Sequence, residues 1–190
     1  MKNQTGMMLI EALVSLVIAA IALLGTVTLM AKSTRSEMES YQRVQALTLV
    51  QDMVSRINAN RQVAACYSNG ATGLSTTTAP LPVCATGAPT PTANQAATAN
   101  ADLAAWKNAL LGSSEVSGTS KVGAMIGAVG CVDQVLPFDP NYPVYRVSVA
   151  WQGLMPTAKP KLSCGKDSLG DNNLRRVISV QIQIANLTTT

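Results

Sequence analysis

The chain has 190 residues, 14 basic and 10 acidic side chains, a formal net charge of +4 and no histidine. Because a nucleic-acid-binding face needs a denser cluster of positive charge, this mild excess argues against nucleic acid as a partner. Without histidine, the commonest general base and metal ligand is missing, so no enzyme, metal or cofactor site is expected. The length suits one modest domain beside an anchoring segment.

The N-terminal region predicts a membrane helix with one embedded charge. Residues 1–6 form a short polar segment, and residues 7–31 are almost wholly apolar except for Glu11. About 20 apolar residues are enough to cross a bilayer as a helix. An ionisable side chain is costly in lipid and indicates a function, with a partner of opposite charge.

Cleavage between Gly6 and Met7 would supply that partner. It would free an α-amine on Met7, four residues and about one helical turn before Glu11. Leaving either charge unpaired in lipid costs free energy. The negative charge of Glu11 and the positive charge of the amine of an axially shifted neighbouring copy would compensate each other. The residues therefore predict self-assembly through staggered helices.

From residue 32 to 61 the composition turns polar but keeps a helical period. One continuous helix is expected over about 7–61, membrane-embedded over 7–31 and amphipathic over 32–61. The apolar stripe expected to face a soluble domain comprises Met38, Tyr41, Val44, Leu47, Val50, Val54 and Ile57.

The remainder, residues 62–190, is expected to form one globular domain. Residues 66–101 are rich in Ala, Thr, Pro and Gly and predict a variable loop. A short helix follows over 102–111, capped by Asn100 or Asp102 and ended by Gly112.

Three strands are expected after that helix. The glycine-rich stretch 122–132 predicts a strand with a tight turn, and the alternating stretches 144–152 and 176–185 predict half-buried strands. The short connections favour an antiparallel sheet. In the polar turn 166–173, Asp167, Asp171 and Asn173 could ligate calcium, but their spacing is not that of an EF-hand.

Four cysteines, Cys66, Cys84, Cys131 and Cys164, predict two disulfides in an oxidising compartment. Three pairings are possible, and Cys66–Cys84 with Cys131–Cys164 is favoured because these pairs close the shorter loops. Lys32, Arg35 and Arg43 would place the C-terminal side inside by the positive-inside rule, but the cysteines favour the opposite orientation.

Gly6-Met7-Met8-Leu9-Ile10-Glu11 followed by an apolar helix resembles the signal of type IV prepilins. The resemblance implies cleavage between Gly6 and Met7 by a prepilin peptidase, N-methylation of Met7 and an assembly role for Glu11. Met7 stands where the family commonly has Phe, and Thr28 lies about where many major pilins carry a proline. The implied fold is α+β, a long N-terminal helix packed on a small antiparallel sheet.

Looser matches later in the chain resemble minor pilins of the PilV type. They are 102–106 (DLAAW), 145–151 (YRVSVAW), Cys164-Gly165 and 175–177 (RRV). The resemblance implies a non-enzymatic subunit that initiates or primes type IV pili, with roles in twitching motility and adhesion. Its partners would be the prepilin peptidase, other minor pilins and the major pilin.

Two alternatives to the pilin stay open. A minor pseudopilin of a type II secretion system carries the same N-terminal chemistry. A membrane-anchored binding module, such as an adhesin or a DNA-uptake subunit, has support only from the 66–101 loop. For the pilin, the expected location is the bacterial inner membrane, crossed once with the C-terminal domain in the periplasm, and then the pilus.

Overall fold

The computed structural model describes residues 5–70, 73–75, 84, 91–112, 116–117, 120–121, 125, 127–137, 139 and 142–185. For residues 5–8, 116–117 and 120–121 it describes the backbone alone. The chain divides into two compact units, Met1–Ser40 and Tyr41–Thr190.

The described secondary structure begins with helix α1, Thr5–Ala59, followed by a 3₁₀ segment, Arg61–Tyr67. Helix α2 and five strands complete it: α2 Ala93–Leu110, β1 Val116–Ser117, β2 Ser120–Lys121, β3 Val129–Gln134, β4 Val144–Gln152 and β5 Arg175–Gln183. The α+β architecture with a long N-terminal helix and a small antiparallel sheet is confirmed.

Strands β3, β4 and β5 form an antiparallel meander in that spatial order. Strand β4 covers the predicted residues 144–152, and β5 begins one residue before the predicted 176. The glycine-rich stretch 122–132 contains the first four residues of β3, which continues to Gln134, and a turn at Gly127, whose φ of 58° favours glycine. The hairpin of β1 and β2 was not predicted.

The core of the second unit lies between the sheet and the helices. Ala46, Val50, Met53 and Ile57 of α1 are all 0% exposed and share one buried cluster with β4 and α2. The β4 and α2 members of the cluster are Tyr145, Val147, Val149, Trp151, Ala99, Leu103, Trp106 and Leu110. This cluster occupies the inner face of the sheet.

The apolar stripe predicted on α1 is wrong in its first half. Met38, Tyr41 and Val44 are 50–61% exposed, whereas Gln42 and Ala46 are buried. Each step of three residues falls short of a full turn by about 60°, so a line of such steps winds around the helix. The buried residues of α1 follow one another in steps of four, four, three and four. These steps are close on average to the 3.6 residues of one turn, so the residues stay on one side of the helix: Gln42, Ala46, Val50, Met53 and Ile57.

Helix α2 begins nine residues before the expected start at Asp102, so the end of the predicted 66–101 loop is helical. Thr92 caps the helix, because its hydroxyl accepts a hydrogen bond from the Gln95 amide while the Gln95 side chain accepts from the Thr92 amide. Asn100 and Asp102 lie inside the helix and do not cap it. Gly112 follows the helix with a φ of 65°, as predicted for its end.

The second face of the sheet is covered over part of its area by residues 163–170. Cys164 and Leu169 pack with Val129, Cys131 and Ala150 in a smaller buried cluster. Gly165 allows this approach, since a Cβ atom there would lie 2.9 Å from the Cβ of Ala150 and the φ is 65°.

Candidate functional site

The predicted processing site lies at the start of α1. Gly6 and Met7 are helical in the described backbone, and the Met7 side chain lies outside the described part. Glu11 is exposed and is surrounded in sequence by exposed aliphatic side chains. Cleavage, N-methylation and the role of Glu11 stay predictions.

The first unit displays a long apolar surface. The large apolar side chains from Leu9 to Met30 are each 53–73% exposed. The helix is long and apolar enough to cross a membrane, and none of its most apolar window is buried within the structure. Since burying one such side chain is worth about 1.5–3 kcal/mol, this surface favours lipid or other helices over water.

The weak helix formers Gly25, Thr26 and Thr28 do not interrupt α1. The Thr26 hydroxyl donates to the Leu23 carbonyl at 2.9 Å, and the Thr28 hydroxyl lies 2.8 Å from the carbonyl oxygens of Leu24 and Gly25. These bonds satisfy both hydroxyls within the helix, which is what an apolar environment requires.

In the second unit, α1 also carries an exposed apolar strip, defined here as Tyr41, Val44 and Leu47. These side chains are 59%, 61% and 36% exposed. At about 100° per residue Val44, at the centre of the strip, lies opposite to the buried Met53, whereas Leu47 lies beside the buried Val50. This part of α1 is therefore apolar on two faces, only one of which its own domain covers.

A polar cluster ties α1, the 3₁₀ segment and α2 together. The Arg56 guanidinium donates to Asp52 at 3.0 Å and to Asp102 at 2.8 Å, and the Tyr67 hydroxyl donates to the other Asp102 oxygen at 2.7 Å. Asn60 donates to the Gln95 carbonyl at 3.1 Å. The sequence analysis missed this cluster because its members come from three separate segments.

The environment of this cluster shifts two pKa values. The hydrogen bond to Asp52 is the largest cause that raises the pKa of Arg56. Burial, followed by the bond to Asp102, raises the pKa of Tyr67 well above its ordinary 10.0. Both residues therefore keep their protons at neutral pH, and neither is set up as a general base.

An open groove of about 520 Å³ lies beside the cluster. Its lining includes Arg56 and Asp102, whose charged groups already bond to each other. The remaining lining residues are Ser55, Ala59, Asn60 and Thr98. The groove offers no nucleophile paired with a base, so we interpret the cluster as a support for the fold.

The residues considered for calcium bond to neighbouring amides. Asp167 accepts from the Asn172 side chain at 2.9 Å, and Asp171 accepts from the backbone and side chain of Asn173 at 2.9 Å. Among the residues that the structure describes, no group of three or more acidic, cysteine or histidine side chains could hold a metal ion.

The four cysteines form two disulfides, Cys66–Cys84 and Cys131–Cys164, with Cα–Cα distances of 4.4 and 5.9 Å. This is the pairing that the shorter loops favoured. The second disulfide fastens the covering residues 163–170 to strand β3. Disulfides of this kind are typical of an oxidising compartment.

Comparison with known families found one match. The model of the family described as "Type IV pilin Tt1218" matches residues 28–104, about two fifths of the chain. Among curated proteins and among solved structures, no significant match was found. The family match covers the end of the apolar run, the rest of α1 and most of α2, and it supports a type IV pilin.

Proposed function

We propose that the protein is a minor pilin, a structural subunit of the PilV type that initiates or primes type IV pilus assembly. The similarity to type IV pilins over residues 28–104 supports the pilin class. The observation that carries the proposal is the exposed apolar surface of α1 with Glu11 as its one charge. A surface of this kind suits storage in the inner membrane followed by packing among other pilin helices.

In the proposed mechanism, the prepilin peptidase cuts between Gly6 and Met7 and methylates the new N-terminus. The Met7 amine and Glu11 of neighbouring subunits then pair across the helices. In each pair the positive amine and the negative carboxylate compensate each other within the lipid. The axial offset between neighbouring helices that permits this pairing is therefore favoured over other offsets.

The exposed strip of Tyr41, Val44 and Leu47 extends the proposed assembly surface. In a filament it would pack against other minor pilins or the major pilin, because its own domain leaves it uncovered. Val44→Glu would place a charge on this strip without touching the buried face. We expect lower incorporation into pili and an unchanged melting temperature of the domain.

The decisive experiment combines processing with assembly. The mass of the N-terminal peptide from membrane-extracted protein should correspond to an N-methylated Met7. Glu11→Ala should leave membrane insertion intact and lower incorporation into pili, because the N-terminal amine loses its partner. Glu37→Ala, which changes an exposed glutamate beyond the apolar run, is the matched control.

Two outcomes would contradict the proposal. An intact Met1 on the membrane-extracted protein would indicate a plain anchor without processing. Normal incorporation of the Glu11→Ala variant would remove the charge-pairing mechanism, even if the peptidase cuts the chain.

A further inference from the structure

The segment that joins β4 to β5, residues 153–174, contains no helix or strand, yet its backbone is held in place. It is called the β4–β5 connection below. Arg175, the first residue of β5, is 2% exposed. Its guanidinium donates hydrogen bonds of 2.7–3.1 Å to three carbonyl oxygens of the connection, those of Pro160, Leu162 and Cys164. The later part of the connection is therefore fixed to the strand that follows it.

The next residue, Arg176, fixes the beginning of the connection. Its guanidinium donates to the Met155 carbonyl at 2.7 Å and to the Thr157 hydroxyl at 2.6 Å. The Thr157 amide donates to the Asn173 carbonyl at 2.7 Å. The connection is thus ordered before it meets a partner, which lowers the entropy cost of binding.

The bonds to Arg175 also orient two amides of the connection. In a planar trans peptide the N–H points away from the carbonyl of the preceding residue. Because the carbonyls of Pro160 and Leu162 point at Arg175, the amides of Lys161 and Ser163 point away from it. Among the described residues, neither amide has an acceptor. Both are therefore available to an anion.

Three lysines of the connection add positive charge near these amides in the sequence. Lys159, Lys161 and Lys166 are all exposed, and none forms an ion pair with a described carboxylate. The two acidic residues of the connection, Asp167 and Asp171, accept hydrogen bonds from neighbouring asparagines instead.

Most of the excess positive charge of the protein lies in this region. Residues 159–176 contain five basic and two acidic side chains, whereas the rest of the chain contains nine basic and eight acidic ones. Three of the four excess positive charges therefore lie where β4 ends and β5 begins, at one end of the sheet. This distribution favours an anionic partner for that end.

The type of cation favours phosphate over carboxylate as the partner's anion. Carboxylates are commonly bound by the planar guanidinium of arginine through two parallel hydrogen bonds. Both arginines of this region already bond to the connection itself. The exposed cations are lysine ammonium groups, which act as point charges and suit phosphates whose positions vary.

Exposed apolar side chains in the same connection favour lipid as the source of the phosphates. Leu154 is 38% exposed and Met155 is 50% exposed. The connection has no aromatic residue on which a nucleic-acid base could stack. A lipid bilayer, by contrast, combines phosphate groups with an apolar layer directly beneath them.

We propose that the β4–β5 connection binds the surface of an anionic lipid bilayer. Its lysines contact the headgroup phosphates, and Leu154 and Met155 enter the boundary between the headgroups and the acyl chains. All of these residues belong to the second unit.

Binding to vesicles tests the proposal. The full chain is placed in nanodiscs of phosphatidylcholine, so that its apolar helix is already covered and does not insert into the probe. The probe is a vesicle of phosphatidylglycerol and phosphatidylcholine in equal parts, and flotation measures the bound nanodiscs against empty ones. We expect binding to these vesicles, none to vesicles of phosphatidylcholine alone, and weaker binding as the salt concentration rises.

Lys159→Gln combined with Lys161→Gln is the discriminating variant. A lysine near an anionic bilayer changes the affinity about fivefold, so the double variant should bind about twenty-fivefold more weakly. Arg43→Gln combined with Arg61→Gln is the matched control, because it removes two exposed positive charges outside the connection. The control should bind as the original chain does.

Met155→Ser tests the apolar part of the surface. The main-chain bond from Arg176 to residue 155 is kept, since only the side chain changes. We expect weaker binding to the anionic vesicles, because less apolar surface enters the boundary of the bilayer. Equal binding would mean that charge alone acts, which would overturn the assignment to lipid.

Three further results would overturn the proposal. Absence of binding to the anionic vesicles would show that the connection does not recognise a lipid surface. Equal losses in the two double variants would mean that net charge, and not the connection, attracts the chain. Binding to duplex DNA without binding to vesicles would identify nucleic acid as the partner. None of these results depends on methylation of Met7, so this proposal and the pilin proposal can fail separately.

Discussion

Helix α1 contains two apolar stretches of similar chemistry that meet different surroundings. Between Leu9 and Met30 the large apolar side chains are 53–73% exposed. Between Val50 and Ile57 the apolar side chains at 50, 53 and 57 are 0% exposed and belong to the main core cluster. The later stretch is covered by other elements of its own unit.

The stability of the domain and the assembly of the chain depend on different stretches of α1. Side chains that the domain covers contribute to the free energy of unfolding of that domain. Side chains that the chain leaves exposed can contribute only when lipid or another subunit covers them. A substitution should therefore act on one property or the other according to which stretch it changes.

The largest effect on stability is expected from Met53→Ala, paired with Met30→Ala on the same helix. Met53 is 0% exposed and Met30 is 73% exposed. Deleting the buried side chain should lower the free energy of unfolding by up to about 5 kcal/mol, through lost transfer energy and a cavity. Chemical denaturation in detergent measures both variants.

Met30→Ala should leave that unfolding transition unchanged within error. Equal destabilisation by the two substitutions would mean that the domain's stability depends on the exposed stretch as well, which contradicts this expectation.

The disulfide Cys131–Cys164 belongs to the covered region and should contribute to stability alone. Replacing both cysteines by alanine should cost about 3–4 kcal/mol of domain stability on the chain-entropy model. Membrane extraction of the chain should not change, since the apolar stretch is untouched. A melting temperature equal to that of the oxidised chain would show that the covering residues 163–170 do not need the bond.

Asp102→Ala removes the acceptor shared by Arg56 and Tyr67. Both donors then lose a partner in a half-buried site, so we expect a loss of about 1–3 kcal/mol in the free energy of unfolding. Asp102→Asn keeps one acceptor oxygen and should cost less. If the two variants unfold alike, the charge of Asp102 rather than its two acceptor positions supports the cluster.

The smallest effect is a pH dependence of stability at alkaline pH. Burial and the bond to Asp102 raise the pKa of Tyr67 in the folded chain above 10.0, its ordinary value. Below pH 10 both states keep the proton and the contribution is complete; above it the unfolded state loses the proton first, so stability falls as pH rises. Tyr67→Phe should show a shallower decline between pH 9 and 11 in thermal melts, and an equal decline would contradict this reading.

Local pattern was sufficient for several elements. Strand β4 alternates so regularly that its predicted and observed limits coincide. Helix α1 lacks proline over its whole length, and its continuity from residue 5 to 59 was close to the predicted 7–61. For the candidate site, the prediction of Glu11 rests on a lone charge in a long apolar run, which is visible in the sequence.

Other features depend on contacts between distant residues. The start of α2 at Ala93 was missed because an alanine- and threonine-rich segment has the composition of a loop, although alanine is the best helix former. The Arg56–Asp102–Tyr67 cluster joins three segments, and no local period announces such a cluster.

The apolar run with its single charge, the helical and alternating periods and the even number of cysteines could all be predicted, because they depend on the order and the number of residues. The buried side of α1 and the covered part of the sheet's second face follow from the tertiary fold instead. Both depend on where the second unit places its other elements: the same helix exposes Tyr41 and buries Gln42 because the domain packs on one side of it.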